Sequence, residues 1–287
     1  MTLVGQYRLY GVMALLVMFA TMDSLCTKPW PYGGDESVAP PSVTCRIATQ
    51  PERDDCGRLC DAGFWIRTTE EDVRVELERG ADLKARDSLG YSPLHLAVAC
   101  AKSPTWTSHA EVITVLLDAG ADPNRKGPKD FRPLHMAAQH ADAEIVELLI
   151  QAGAEVDASD DRRMTALHLA AWHNRAESIS VLIEAGADAE LLDKIGHTPL
   201  MLAAWLGGLD ALKALLDAGV NPNKRGHDGW TALHHAADSN TSWSEEARRL
   251  LLGYGANPQL RNDDGWSERD LRFCEPGRTK RLKVCSQ

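Results

Sequence analysis

The sequence predicts an all-α fold, a solenoid of stacked helix-turn-helix units joined by hairpin loops. Three observations predict it. The stretch T-A-L-H-L-A-A beginning at Thr165 recurs as S-P-L-H-L-A-V at Ser92, R-P-L-H-M-A-A at Arg132, T-P-L-M-L-A-A at Thr198 and T-A-L-H-H-A-A at Thr231. The last four copies start 33 residues apart. A glycine turn follows each copy, reading Gly120-Ala-Asp-Pro-Asn, Gly153-Ala-Glu-Val-Asp, Gly186-Ala-Asp, Gly219-Val-Asn-Pro-Asn and Gly255-Ala-Asn-Pro. A fixed period of this size means units that bury their apolar faces only against neighbours, so the chain is an array without one central core. The functional question then concerns a surface before it concerns an active site.

The first 25 residues stand apart as a candidate signal peptide. Arg8 is the only charged side chain among the first 22 residues, and residues 11–20 form an apolar run. That run has the size of a signal-peptide core and falls short of the ~20 residues a membrane-spanning helix needs. The expectation is cleavage after Ala20 or slightly later, no integral membrane span afterwards, and a periplasmic or secreted protein. Uncleaved, the same run would serve as an anchor. A lipoprotein site at Cys26 is disfavoured because bulky Leu25 precedes it.

Seven cysteines fit that compartment: Cys26, Cys45, Cys56, Cys60, Cys100, Cys274 and Cys285. They gather towards the two ends of the array, where disulfides would staple exposed terminal units in an oxidising environment. Cys274 and Cys285 enclose a short loop and form the preferred pair. Cys45, Cys56, Cys60 and Cys100 supply the others with open connectivity, and Cys26 is left over. A zinc site from Cys45, Cys56 and Cys60 is the weaker reading, for want of a second tight pair or a nearby His.

Residues 26–55, with five prolines, read as an irregular linker. Residues 56–86 read as a degenerate N-terminal capping repeat. In it, Cys60 to Trp65 stands for a first helix, and Thr69 caps a second whose first turn is acidic. Val73 and Leu77 lie on its buried face, and Gly80 ends it. Five repeats occupy 87–261, and 262–287 form a C-terminal cap with a basic tail. Two units are longer than the rest. Seven extra residues at 102–108 carry Trp106, and three near 240–243 carry Trp243. Insertions of this kind map to loops between the paired helices.

The motif set closely resembles the ankyrin repeat over roughly residues 68–272, and the whole chain resembles an exported array of the bacterial type. The resemblance implies antiparallel helix pairs stacked into a curved solenoid, with hairpins projecting at right angles. It also implies that His95, His135, His168 and His234 are structural, hydrogen-bonding within and between repeats. Met201 occupies that position in the fourth repeat, so one inter-repeat link should be missing there.

The chain carries no G-x-S-x-G elbow, phosphate-binding loop, dinucleotide fingerprint or H-E-x-x-H pair. His235, beside the motif residue His234, is expected on another face of its helix and forms no catalytic pair with it. No catalytic residue, cofactor or metal ligand is therefore assigned, although an enzyme hidden in the N-terminal Cys-rich segment is a third reading. The net charge of −10 argues against nucleic acid and anionic membranes as partners.

Function is expected at two columns of equivalent positions. One, just ahead of each motif, reads Tyr91, Phe131, Met164, His197, Trp230 and Trp266. The other, on the first helices, reads Ala99, Gln139, Trp172, Trp205 and Asp238. By the resemblance both border the concave side, where the resemblance implies binding. The partner-binding set is then Tyr91, Phe131, Met164, Trp172, His197, Trp205, Trp230 and Trp266, since clustered exposed aromatics mark interaction hot spots. The alternative is that the rings pack along the hairpins and only stabilise them. Sugar stacking is a weaker reading of the same rings. His140, His173 and His227 flank the strip and would make such contact pH-sensitive. The expected function is a monomeric, non-enzymatic scaffold binding another protein. An exported inhibitor or immunity-type regulator of an enzyme or toxin, with Trp106 as a plug, is the alternative.

Overall fold

The structure is a computed structural model, and it describes residues 57–60, 64–66, 68–100, 109–206, 208–239 and 243–272. The candidate signal segment, the linker, the 102–108 insertion with Trp106, and the basic tail lie outside the described residues, as do Cys26, Cys45, Cys56, Cys274 and Cys285.

Helix α1 (Glu70–Glu78) starts where the sequence places it. The Asp72 N–H donates to Thr69 Oγ1 at 3.3 Å, and the Asp72 carboxylate accepts the Thr69 N–H at 2.9 Å, a reciprocal cap. Val73 is fully buried. Leu77 is only half-buried, and Glu76 is the buried neighbour, its charge met by Arg79 at 2.9 Å. In place of a first helix stand two short 3-10 turns, Gly57–Cys60 and Phe64–Ile66. Trp65 is buried there, with Nε1 donating to the Leu59 carbonyl at 2.9 Å.

Five helix pairs follow: α2 (Pro93–Cys100) with α3 (His109–Asp118), α4 (Pro133–His140) with α5 (Ala143–Gln151), α6 (Ala166–Trp172) with α7 (Ala176–Glu184), α8 (Pro199–Leu206) with α9 (Leu209–Asp217), and α10 (Ala232–Asp238) with α11 (Ser244–Gly253). Helix α12 (Glu268–Arg272) closes the described array. Each first helix packs on the next first helix and each second helix on the next second helix, giving two layers. Among the described residues there is no strand, only an isolated bridge between Arg261 and Ser267.

The two layers differ because their neighbours differ. A first helix has protein on most sides, and all eight residues of α2 are buried. A second helix has one wet face: α5 buries Ile145, Val146 and Leu149 while Glu144 and Glu147 remain exposed. The glycine after each second helix is left-handed, as at Gly120 (φ 91°) and Gly153 (φ 90°), a conformation that costs any residue with a Cβ.

The hairpins hydrogen-bond tip to tip. The N–H groups of Asp161, Lys194, His227 and Asp263 donate to carbonyls of the preceding hairpin, at Lys129, Arg162, Gly196 and Asp228. Pro128 holds the equivalent place in the second repeat and has no N–H to give.

Candidate functional site

The motif histidines form a ladder through the first-helix layer. In the first repeat the Ser92 N–H donates to His95 Nδ1 at 3.3 Å, which makes Nδ1 an acceptor. Nε2 therefore carries the proton and donates to the Phe131 carbonyl of the next repeat at 3.0 Å. The pattern repeats from His168 Nε2 to the His197 carbonyl and from His234 Nε2 to the Trp266 carbonyl, both at 3.1 Å. His135 Nε2 reaches the Ala158 carbonyl at 2.9 Å. Burial holds His95 and His135 neutral, with pKa values pushed down to about 4. The same cause lowers His168 and His234. All four are structural, as the resemblance implies. Met201 has no hydrogen to donate, and the Thr198 N–H meets only its sulfur, at 3.5 Å. The ladder is thus broken between the fourth and fifth repeats.

The column ahead of the motif divides in two. Tyr91 and Phe131 are 2% exposed and Met164 is fully buried, so these three do not belong to an open strip. Tyr91 and Phe131 each lie over the imidazole of their own motif, with centroids 5.7 Å apart for Tyr91–His95 and 5.3 Å for Phe131–His135, as does the half-buried Trp230 over His234 at 6.0 Å. Burial, reinforced by Asp87, pushes the Tyr91 hydroxyl up to about 12. In the second column Ala99 and Gln139 are buried and Asp238 is exposed. Trp172, His197, Trp205, Trp230 and Trp266 are half-buried. Among the described residues the accessible rings of these two columns therefore run from the third repeat to the C-terminal cap.

Among them the structure brings together His197, Trp205 and Trp230. With no motif imidazole in its repeat, His197 turns to Trp205, at 5.5 Å between centroids. The fourth member is His235, which the column register missed. Its ring lies edge-on to His197 at 4.8 Å, 5.0 Å from Trp230 and 5.8 Å from Trp205. His235 is 8% exposed: its face of the helix, distinct from that of His234, is a buried one. The signal was in the repeat alignment: its equivalents are Leu96, Met136, Leu169 and Leu202, each buried and apolar. Burial, and then His197, hold its pKa well below the usual imidazole value, and its Nε2 has no hydrogen-bond partner.

Asp193 anchors the cluster from below. It is fully buried in the hairpin, where Oδ1 accepts the N–H groups of Ile195, Gly196 and His197 at 2.8–2.9 Å. Oδ2 lies 3.5 Å from His197 Nδ1. Burial alone would raise its pKa, but the hydrogen bonds from His197 and the nearby imidazoles outweigh it and bring the value down to about 2. Elsewhere, His140 and His173 face each other at 5.9 Å, and His227 is exposed on its hairpin. Cys60 and Cys100, at the first 3-10 turn and the end of α2, are disulfide-bonded. Among the described residues no His, Cys, Asp and Glu cluster is disposed to hold a metal, and no helix is long and apolar enough to cross a membrane.

Comparison with known proteins agrees with this geometry. The family model described as Ankyrin repeats (3 copies) matches residues 105–193, 134–226 and 182–262, together more than half of the chain. The chain is similar to the mouse Ankyrin repeat and SOCS box protein 16, 40% identical over 72 residues. That alignment covers 25% of this chain and 16% of that protein, so the chain accounts for a small part of its relative's length. Among solved structures it is similar to the ankyrin repeat domain of Bcl-3, a member of the IkappaB protein family. The TM-score is 0.64 and the identity 25%, over 82% of this chain and 99% of that one.

Proposed function

The chain belongs to the ankyrin-repeat family, and from that premise we propose that it is a non-enzymatic scaffold gripping a partner protein through its fourth and fifth repeats. The contact surface is the ring cluster of His197, Trp205 and Trp230, flanked by Trp172 and Trp266. One observation carries the reading: among the described residues the half-buried rings of these two columns run from the third repeat to the C-terminal cap, whereas Tyr91 and Phe131 in the first two repeats are buried. Partly exposed tryptophans on a rigid scaffold supply large contact area at little entropic cost, which is why they anchor interfaces. The test is capture on the immobilised full chain beside the Trp172→Ala, Trp205→Ala, Trp230→Ala triple variant. The variant should keep its far-UV helical signal and lose the partner; undiminished capture of the same partner overturns the proposal.

Export to an oxidising compartment belongs to the same proposal. It is supported by the apolar run at residues 11–20 and by the disulfide-bonded state of Cys60 and Cys100. Mass spectrometry of the native protein should find a chain lacking residues 1–20, with these two cysteines oxidised. An intact N-terminus with free thiols contradicts it.

A further inference from the structure

We propose that the junction between the fourth and fifth repeats is an acid-operated joint, with His235 as its trigger. This property belongs to the array itself and stands whether or not the partner-binding reading holds.

Two departures from the repeat meet at this one junction. Met201 takes the ladder position, so the Trp230 carbonyl receives no imidazole N–H of the kind that the Phe131, His197 and Trp266 carbonyls receive. His235 takes a core position that Leu or Met holds in the other four repeats. The junction has lost a directional bond and gained an ionisable group packed among rings.

The surroundings of His235 leave an added proton poorly accommodated. Helix α8 presents Trp205 and contributes no charge. The fourth hairpin presents His197, whose ring is 4.8 Å away, and behind it Asp193. The Asp193 carboxylate is committed to three N–H groups of its own loop and to the side of His197. The fifth hairpin presents Trp230, and its Arg225 is paired with Asp263 at 2.7 Å. On its own helix His234 is bound to Thr231 and to the Trp266 carbonyl. On α11 and α12, Arg248 engages Glu245 at 2.9 Å and Glu268 at 3.4 Å. With His235 only 8% exposed, the imidazolium is stable only when the junction opens.

The sign follows from linkage. The closed junction holds His235 neutral, and an opened junction returns it to the ordinary range near 6.5. Above that pH both states are neutral and the closed form keeps its full advantage. Below it only the open form takes up the proton, so the open-to-closed ratio rises roughly tenfold between pH 7.5 and pH 5.5. The joint lies directly beneath Trp205 and Trp230, so opening changes both rings.

Hydrogen exchange of the full chain at pH 7.5 and 5.5, corrected for intrinsic exchange rates, tests this. Amides of α10 and of residues 226–230 should lose about tenfold more protection at the lower pH in the parent chain than in His235→Leu, whereas the losses in α4 and α6, which carry His135 and His168, should be the same in both chains. His235→Leu restores the residue type of the other repeats and should remove that excess, leaving only the loss that His234 contributes. Met201→His adds the missing donor and should raise protection of the same amides at both pH values. An equal acid loss at α10 and residues 226–230 in the parent chain and in His235→Leu overturns the proposal.

Discussion

The junction between the third and fourth repeats and the junction between the fourth and fifth are made from the same helices and hairpins, yet they are held differently. In the first, His168 reads its own Thr165 through Nδ1 and the next repeat's carbonyl through Nε2, so one side chain fixes both the helix start and the stacking. In the second, Met201 supplies volume without direction, and the polar character moves to His235 and His197, which face each other among tryptophans. A directional link has been exchanged for a ring cluster with some exposure. The first arrangement is that of a scaffold, and the second is where a scaffold can afford a working surface.

The widest way to break this comparison is acid, which attacks the intact part of the ladder as well as the joint. His95 and His135 titrate near 4 when folded and near 6.5 when unfolded, so their stabilisation is complete above pH 6.5 and is lost as pH falls towards 4. At pH 4.5 the two together should remove on the order of 5 kcal/mol relative to pH 7.5. Urea unfolding at the two pH values measures it, and a flat profile between them would contradict the neutral-ladder description. Next in size, His168→Ala should cost about 3 kcal/mol, because it strips a cap and an inter-repeat bond from a buried site. Met201→His runs the opposite way and should add about 1 kcal/mol if the new Nε2–H reaches the Trp230 carbonyl. The smallest effect separates the two hairpins. Arg163 is left-handed (φ 60°) where the fourth repeat has Gly196 (φ 98°), so Arg163→Gly should stabilise the chain by about 0.5 kcal/mol in the same unfolding assay, the relieved backbone outweighing the entropy of the glycine.

Much of the architecture was legible because it rests on local, repeated chemistry. The period, the left-handed glycines, the Thr69 cap and the structural assignment of four histidines all follow from residues that act within one repeat or on the next. Exposure was less legible. Tyr91, Phe131 and Met164 share a register with Trp230, yet Trp230 lies over its own His234 at 6.0 Å and stays half-buried, so neither register nor that ring contact alone sets exposure. Where the motif imidazole stands below, Tyr91 and Phe131 close over it; at Met201 that platform is absent, and His197 turns to Trp205 instead. His235 escaped for another reason. Reading it as the neighbour of His234 hid the comparison with Leu96, Met136, Leu169 and Leu202, which places it in the core.

The central claim is that the partner sits on the fourth and fifth repeats, over the ring cluster. Once a partner has been captured and identified, its hydrogen-exchange footprint on the full chain tests that claim most directly. Protection should rise in α8, in α10 and in residues 193–197 and 226–230. A footprint confined to the second-helix layer or to the first two repeats would contradict it.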